Sequence, residues 1–418
     1  MKSPNNILDS ADTYFSFHLT SPQDIEKIIN KLNPKRSCGW NQISHFLLKQ
    51  VKTNICEPLS FIINQSFSTG VFPDRMKYAI VKPLHKGGSL ELKNYRPISI
   101  LCSFSIVFEK IVLQQLLLYL EQNHLLNPHQ FGFRKNYSTI STLFKLVNNI
   151  SYSLDKGENT AAIICDISKA FDCVDHVILL NKLKFYGICN TSLSWFESYL
   201  SQRKQKVIFK PQGFFAQSNW KTVLSGVPQG SVLGPLLFII YTNDLENYVH
   251  EPVLSYADDT TVLLKNSNLT NLTKQILDSK HSLNQWFTNN GLKLNLNKTN
   301  VIEFKTISKL TSNSNLNNVT DLNPKNTVKL LGIVIDQNLQ WKKHIEYIVK
   351  KLNKAYFNMC YLAQVTSMDI RKMVYFGYFQ SIMSYGIIIW GHCTEWKTIF
   401  KLQKKMIRVM MNAPYRES

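Results

Sequence analysis

Two adjacent carboxylates, Asp258 and Asp259, sit in the stretch Pro252-Val-Leu-Ser-Tyr-Ala-Asp-Asp-Thr-Thr-Val-Leu-Leu264. Apolar, β-branched runs on either side predict a β-hairpin whose turn carries the acids. Asp is common where hairpins reverse, so the pair alone is compatible with an ordinary turn. Acids side by side at the end of buried strands repel each other, however, and a divalent cation bound by oxygen ligands would relieve that repulsion. A third acid, Asp166, ends the strand-like run Ala161 to Cys165. Three carboxylates on two neighbouring strands can hold two metal ions. Such a pair, roughly 3.5–4 Å apart, clamps the attacking and leaving oxygens of an in-line phosphoryl transfer.

The elements that must position these acids follow from local patterning. Ser21 to Leu32 predicts a capped amphipathic helix, 43–67 a second that ends before Gly70, and 106–121 a third. Ala79 to Gly88 reads as a strand entering a basic, glycine-containing loop, with Asn94 to Ile100 returning from it. Lys82, Lys86 and Arg96 then share one hairpin, where the planar guanidinium of Arg96 suits a triphosphate. For Lys82 a solvated loop is the better reading. Ser138 or Thr139 caps a helix over about 139–154. Further helices are expected over 174–187, 195–200, 236–245 and 276–289, and strands over 207–209, 301–304 and 328–336. Ser201 to Lys206 reads as a basic turn, and the Ser/Asn/Thr-rich residues 306–327 as a loop. In Ser225-Gly-Val-Pro-Gln-Gly-Ser-Val-Leu-Gly-Pro235, small residues let the backbone approach a ligand closely. A tight connecting loop explains these glycines but gives no reason for Gln229.

With 418 residues, 44% hydrophobic and 18% charged, the chain is long and apolar enough for two or three folded domains. A formal net charge of +20 favours a polyanionic partner, nucleic acid before membrane. In 341–418, thirteen Lys/Arg stand against four Asp/Glu, so a basic helical module with a phosphate backbone nearby is expected there. The eight cysteines include no Cys-x-x-Cys pair and read as reduced, mostly buried thiols, with neither a disulfide framework nor a zinc finger. Residues 1–6 lack the apolar core of a signal peptide. The apolar runs Leu236 to Tyr241 and Ile387 to Trp390 are too short to span a bilayer. The expectation is therefore an intracellular protein of the nucleus and/or cytoplasm, not secreted, with no membrane partner.

Seven motifs stand in order: Asn94-Tyr-Arg-Pro-Ile-Ser99; Gln130-Phe-Gly-Phe-Arg134 with Ser138-Thr139; Asp166-Ile-Ser-Lys-Ala-Phe-Asp172; Gly226 to Pro235; Tyr256-Ala-Asp-Asp259; Gly291-Leu-Lys-Leu-Asn-Leu-Asn-Lys298; and Leu331-Gly332. Together they resemble the reverse transcriptases of non-LTR (LINE-type, jockey-like) retrotransposons, over roughly residues 20–340 and more weakly beyond. The resemblance implies an α+β right-hand polymerase: N-terminal helices and fingers over 1–160, a palm with an antiparallel sheet over 161–338, and a basic helical thumb-like module over 339–418. It implies an RNA-directed DNA polymerase that extends a DNA primer on an RNA template with dNTPs. Asp166, Asp258 and Asp259 would be catalytic, holding two Mg²⁺ ions (or Mn²⁺) with the backbone carbonyl of Ile167. Phe171 would be the gate against a ribose 2′-OH. Gln229 and Gly230 would line the nascent base pair, and Lys86 and Arg96 would bind the triphosphate. Lys298 would donate a proton to the leaving pyrophosphate; a surface lysine in an Asn-rich turn is the lesser alternative. Arg134 and Tyr256 would contact template and primer.

Trp40-Asn41 departs from the Pro-Asp usual in the family's early Gly-Pro-Asp-Gly motif. The chain also shows no endonuclease-like region before the polymerase motifs and no RNase H or zinc-knuckle region after them, so a polymerase core is expected. Three rivals stand beside this reading. One is a catalytically idle RNA-binding scaffold, one an intron-encoded maturase, and one an RNA-dependent RNA polymerase, which the aromatic Phe171 and Ala257 disfavour.

Overall fold

The structure, a computed structural model, describes residues 14–210, 214–295, 298–306 and 324–414. Residues 307–323, most of the expected Ser/Asn/Thr-rich loop, and residues 1–13 lie outside them. The chain divides into two units, each assembled from separated segments. The first comprises Met1–Phe133, Ile167–Leu245 and Trp286–Lys293, and the second Arg134–Asp166, Glu246–Gln285 and Leu294–Ser418. Both combine helices with sheet, so the fold is α+β.

In the first unit, Tyr78–His85 and Tyr95–Leu101 form the expected antiparallel hairpin, with Lys82 opposite Ile98 and Leu84 opposite Arg96. Strand Lys204–Phe209 adds in parallel along Tyr78–His85. The expected basic turn at 201–206 is therefore half strand, since Lys204 to Lys206 enter the sheet. Strand alternation buries Ala79, Val81, Ser99 and Leu101 on one face and exposes Lys82, Leu84 and Arg96 on the other. Ser21 caps helix Pro22–Lys31 through a capping box with Asp24. The single helix expected over 43–67 is two, His45–Gln50 and Lys52–Thr69, because the backbone leaves helical geometry at Val51.

Helix Ser103–Gln122 threads this unit, with Val107, Phe108, Val112, Leu116 and Leu120 fully buried. By length and composition it could cross a membrane, a possibility that the two short apolar runs did not raise. Half of its most apolar stretch is buried inside the protein, as for the core helix of a globular domain. Glu109 lies in its middle and is fully buried. One carboxylate oxygen accepts from the backbone N–H groups of Val232 (2.6 Å) and Leu233 (3.3 Å). The other accepts from the Tyr199 hydroxyl (3.1 Å) and Ser105 (3.3 Å). Burial is the larger effect and holds the Glu109 pKa above its ordinary value, against the pull of the nearby Arg203 guanidinium and of the Val232, Leu233 and Tyr199 donors.

The second unit is built on a four-stranded antiparallel sheet in the order Asn300–Phe304, Asn159–Cys165, Asp259–Asn266, Val253–Tyr256. Its strand Asn159–Cys165 is buried from Thr160 onward, which is why it reads as an unbroken apolar run rather than an alternating one. Helix Thr139–Asp155, capped by Ser138, lies against this sheet with Leu143, Leu146 and Ile150 buried. The strand expected over 328–336 is instead a hairpin, Thr327–Leu330 paired with Ile333–Asp336. Leu331 (φ 44°) and Gly332 (φ 87°) turn it, the sense that a two-residue hairpin requires. The continuous apolar sequence conceals that turn. Helices Lys342–Val365 and Trp396–Met411 pack together near the C-terminus.

Candidate active site

The acids meet at one end of the second unit's sheet. The hairpin register pairs Tyr256 with Asp259, leaving Ala257 and Asp258 as a two-residue turn. Ala257 takes a left-handed φ of 57° while buried to 8% exposure, a conformation that costs a non-glycine residue about 1–2 kcal/mol. In the neighbouring pair, Cys165 lies opposite Thr260. The pairing ends there: Asp166 is the residue after Cys165 and Asp259 the residue before Thr260, so both stand at the same end of the sheet. The electrostatics agree: crowding by protein atoms, then the charges of Asp258 and Asp166, raise the Asp259 pKa to about 6. Asp259 still keeps an exposed face, so repulsion among the three acids is open to relief from solvent or an ion.

Lys298 comes to this strand end through the backbone. Asn295 donates its N–H to the Asp166 carbonyl (2.8 Å), and Lys298 donates its own to the Asn295 carbonyl (3.0 Å). The Lys298 ammonium then stands 3.6 Å from Oδ2 of Asp166. Among the described residues, no three His, Cys, Asp or Glu side chains stand close enough together to hold a metal ion as they are. The donor chemistry nonetheless fits a hard divalent cation, because all three groups are carboxylates and Asp259 is destabilised by the charges of the other two. Cys165, beside Asp166, is buried with its thiol pushed up to about 12, so it is no nucleophile.

The expected nucleotide-side residues other than Lys298 belong to the first unit. Lys86 begins the loop of the Tyr78–His85 hairpin, its N–H bonded to the Asn94 carbonyl (2.8 Å), and Arg96 is exposed on the returning strand. Lys82 shares Arg96's face of the sheet. Ile167 is buried. Phe171 lies in a short 3-10 turn, Ala170–Cys173, stacked on Phe238 (ring centroids 4.8 Å apart) and edge-on to Phe133 (6.4 Å). Its carbonyl accepts from Val227 (2.8 Å), which ties the gate candidate to the Gly226–Pro235 loop. Gly230 has φ 116°, and a Cβ there would stand 2.6 Å from the Ser99 carbonyl oxygen, so close backbone packing explains that glycine. Gln229 gives its side-chain N–H to Asp172 Oδ1 (3.0 Å), and its backbone carbonyl accepts from Ser99 N–H (2.7 Å).

In the second unit, Arg134 stacks its guanidinium over Tyr137 at 5.1 Å, and Tyr256 is half-buried beside the acidic turn. Two residues escaped the sequence reading. Asp172 was visible only as the last letter of a motif, with no role assigned. Glu109 did carry a signal, a lone acid inside an otherwise apolar helix.

A family model described as reverse transcriptase (RNA-dependent DNA polymerase) matches residues 84–335, more than half of the chain. The α+β fold, with three acids at one sheet end, is thus that of a right-hand polymerase domain. The chain belongs to the reverse transcriptase family. It is 29% identical over 435 aligned positions to the probable RNA-directed DNA polymerase from transposon BS of Drosophila melanogaster, covering 98% of this chain and 47% of that protein. It is 27% identical to the RNA-directed DNA polymerase from mobile element jockey of Drosophila funebris, covering 98% of this chain and 46% of that protein. The chain therefore spans about half the length of the curated relatives it matches. A likeness to the solved structure of apo telomerase from Candida tropicalis, truncated from its C-terminal domain, has a TM-score of 0.43 at 16% identity, covering 70% of this chain and 59% of that one.

Proposed function

We propose that the chain is an RNA-directed DNA polymerase: it extends the 3′-OH of a DNA primer on an RNA template. The 3′-OH gives up its proton to solvent, its oxygen forms a bond to the α-phosphorus of a dNTP, the α–β bridging P–O bond breaks, and pyrophosphate leaves. The observation that carries this reading is the gathering of Asp166, Asp258 and Asp259 at the sheet end where the Cys165–Thr260 pairing stops, in a chain of the reverse transcriptase family. By family resemblance, residues 1–160 serve as N-terminal helices and fingers, 161–338 as palm with some finger elements and 339–418 as a basic helical thumb-like module.

Asp166, Asp258 and Asp259, with the Ile167 carbonyl, would hold Mg²⁺ (Mn²⁺ as substitute). When bound, the ions supply positive charge that offsets the charge gathering on the phosphoryl oxygens. The protein's own part is binding and alignment. Lys86 and Arg96 hold the triphosphate by charge-assisted hydrogen bonds. Phe171, braced by Phe238, excludes a 2′-OH, and Gln229 and Gly230 line the new base pair. Lys298 gives a proton to the departing pyrophosphate oxygen, and Arg134 and Tyr256 steady template and primer.

The test is primer extension on an RNA template with Mg²⁺ and dNTPs. Asp258→Ala should abolish extension while leaving nucleic-acid binding largely intact. Undiminished synthesis by that variant removes Asp258 from the site, and no extension by the wild-type chain favours the idle-scaffold alternative. Phe171→Val should admit ribonucleotides.

A further inference from the structure

Asp172 follows the gate candidate Phe171 and is half-buried. It touches the Gly226–Pro235 loop and its approach in three ways, all within the first unit. Its Oδ1 accepts from the Gln229 amide at 3.0 Å. Its backbone carbonyl accepts from the Ser225 hydroxyl at 3.3 Å. Its backbone leaves no room for a side chain at Gly226, where a Cβ would lie 2.8 Å from the Asp172 carbonyl oxygen. Two further bonds, Gly226 N–H to the Val174 carbonyl (2.7 Å) and Val227 N–H to the Phe171 carbonyl (2.8 Å), clamp the loop backbone onto 171–174.

That clamp leaves the Gln229 side chain as the adjustable part. Asp172 and Gln229 both line a cavity of about 420 Å³, together with Ser99, Lys204 and Pro228. The Gln229 amide borders this open space and is tied at one end by its bond to Asp172. An amide has one acceptor oxygen and two donor hydrogens. Committing a donor to Asp172 fixes which end of the amide is left for a ligand. Lys86 also acts on Asp172: burial raises the acid's pKa, and the Gln229 donor, Lys169 and Lys86 lower it. Asp172 is thereby linked to two residues of the nucleotide site proposed above.

We propose that Asp172 is a positioning residue for nucleotide selection, orienting the Gln229 amide and coupling it to Phe171. The inference rests on the polymerase reading. It differs from a local structural bond in what its loss would change: nucleotide KM and sugar discrimination, more than kcat or folding.

The experiment is primer extension with the full chain on poly(rA)·oligo(dT) in Mg²⁺, using dTTP and UTP, with urea midpoints recorded for each variant. Asp172→Ala should raise the KM for dTTP by about tenfold, with kcat within about threefold, and narrow the dTTP/UTP preference. Gln229→Glu, which sets two carboxylates together, should do the same or worse. The double variant Asp172→Asn/Gln229→Glu restores an amide-to-carboxylate bond with donor and acceptor exchanged, and should lower KM severalfold relative to Gln229→Glu alone. Wild-type KM and discrimination in Asp172→Ala would overturn the proposal. So would a double variant no better than Gln229→Glu alone, a comparison that stands even if Asp172→Ala fails to fold. Failure of the wild-type chain to extend any primer removes the polymerase reading and this role with it, whereas extension without rescue removes only the role of Asp172.

Discussion

The ammonium of Lys298 stands 3.6 Å from Oδ2 of Asp166. The contact gives the acidic sheet end a positive neighbour from the chain itself. Both side chains are well exposed, so the pair contributes little to folding. Lys298→Met should therefore shift the urea midpoint negligibly, by under about 0.5 kcal/mol, while slowing single-turnover extension at saturating dNTP by up to about 10²-fold. An unchanged rate would return Lys298 to the status of a surface lysine.

Asp259 carries a pH signature. Its folded pKa, about 6, lies above the ordinary 3.8. Between those values the folded chain binds the proton more readily than the unfolded chain does. Stability then falls as pH rises from about 4 to about 6, and stays reduced at neutral pH. Asp259→Asn should thus be more stable than wild type at pH 7 in chelator, by about 1 kcal/mol at most because the group is exposed, and no more stable below about pH 4. Urea midpoints of both proteins at the two pH values measure the difference; equal gains at both would contradict a raised Asp259 pKa as the source of the stabilisation.

Glu109 ties helix Ser103–Gln122 to the backbone of Val232 and Leu233. Glu109→Ala removes the acceptors of all four donors, leaves the buried N–H groups of Val232 and Leu233 without this partner, and should destabilise the first unit by about 2–4 kcal/mol. Tyr199→Phe, which removes one of four bonds to that carboxylate, should cost about 1 kcal/mol. Similar losses for the two variants would show that the backbone bonds to Val232 and Leu233 carry little.

Two glycines separate conformational strain from steric room. Gly230→Ala meets the Ser99 carbonyl at 2.6 Å and an unfavourable φ of 116°, and should cost about 3 kcal/mol or more, with loss of extension. Gly87→Ala has φ 98° but nothing within 4 Å, and should cost about 1–2 kcal/mol. Chemical denaturation of both variants gives the comparison.

Much of the local structure was legible in the chain. Ser21 and Ser138 cap helices because a hydroxyl satisfies a free N–H three residues on. The 252–264 hairpin was readable because two β-rich runs flank a short polar turn. Failures came where one local pattern fits two structures. The apolar run 328–336 conceals the Leu331-Gly332 turn, and the helical periodicity of 43–67 conceals the break at Val51.

The sequence by itself determined which residues carry charge and which strands they end, since alternation and capping depend on neighbours a few positions apart. It did not determine partners. Gln229 and Asp172 are 57 residues apart, and Glu109 and Val232 are 123 apart. Nothing periodic connects such positions, because their bonds form only after separate strands and helices have packed. The register that brings Asp166 and Asp259 to the same end of the sheet was likewise decided in three dimensions, by the burial of strand Asn159–Cys165 between its neighbours. A shift of one residue would move Asp166 along the sheet and misfit every packed side chain of that strand, and the cost of doing so holds the acids at one end.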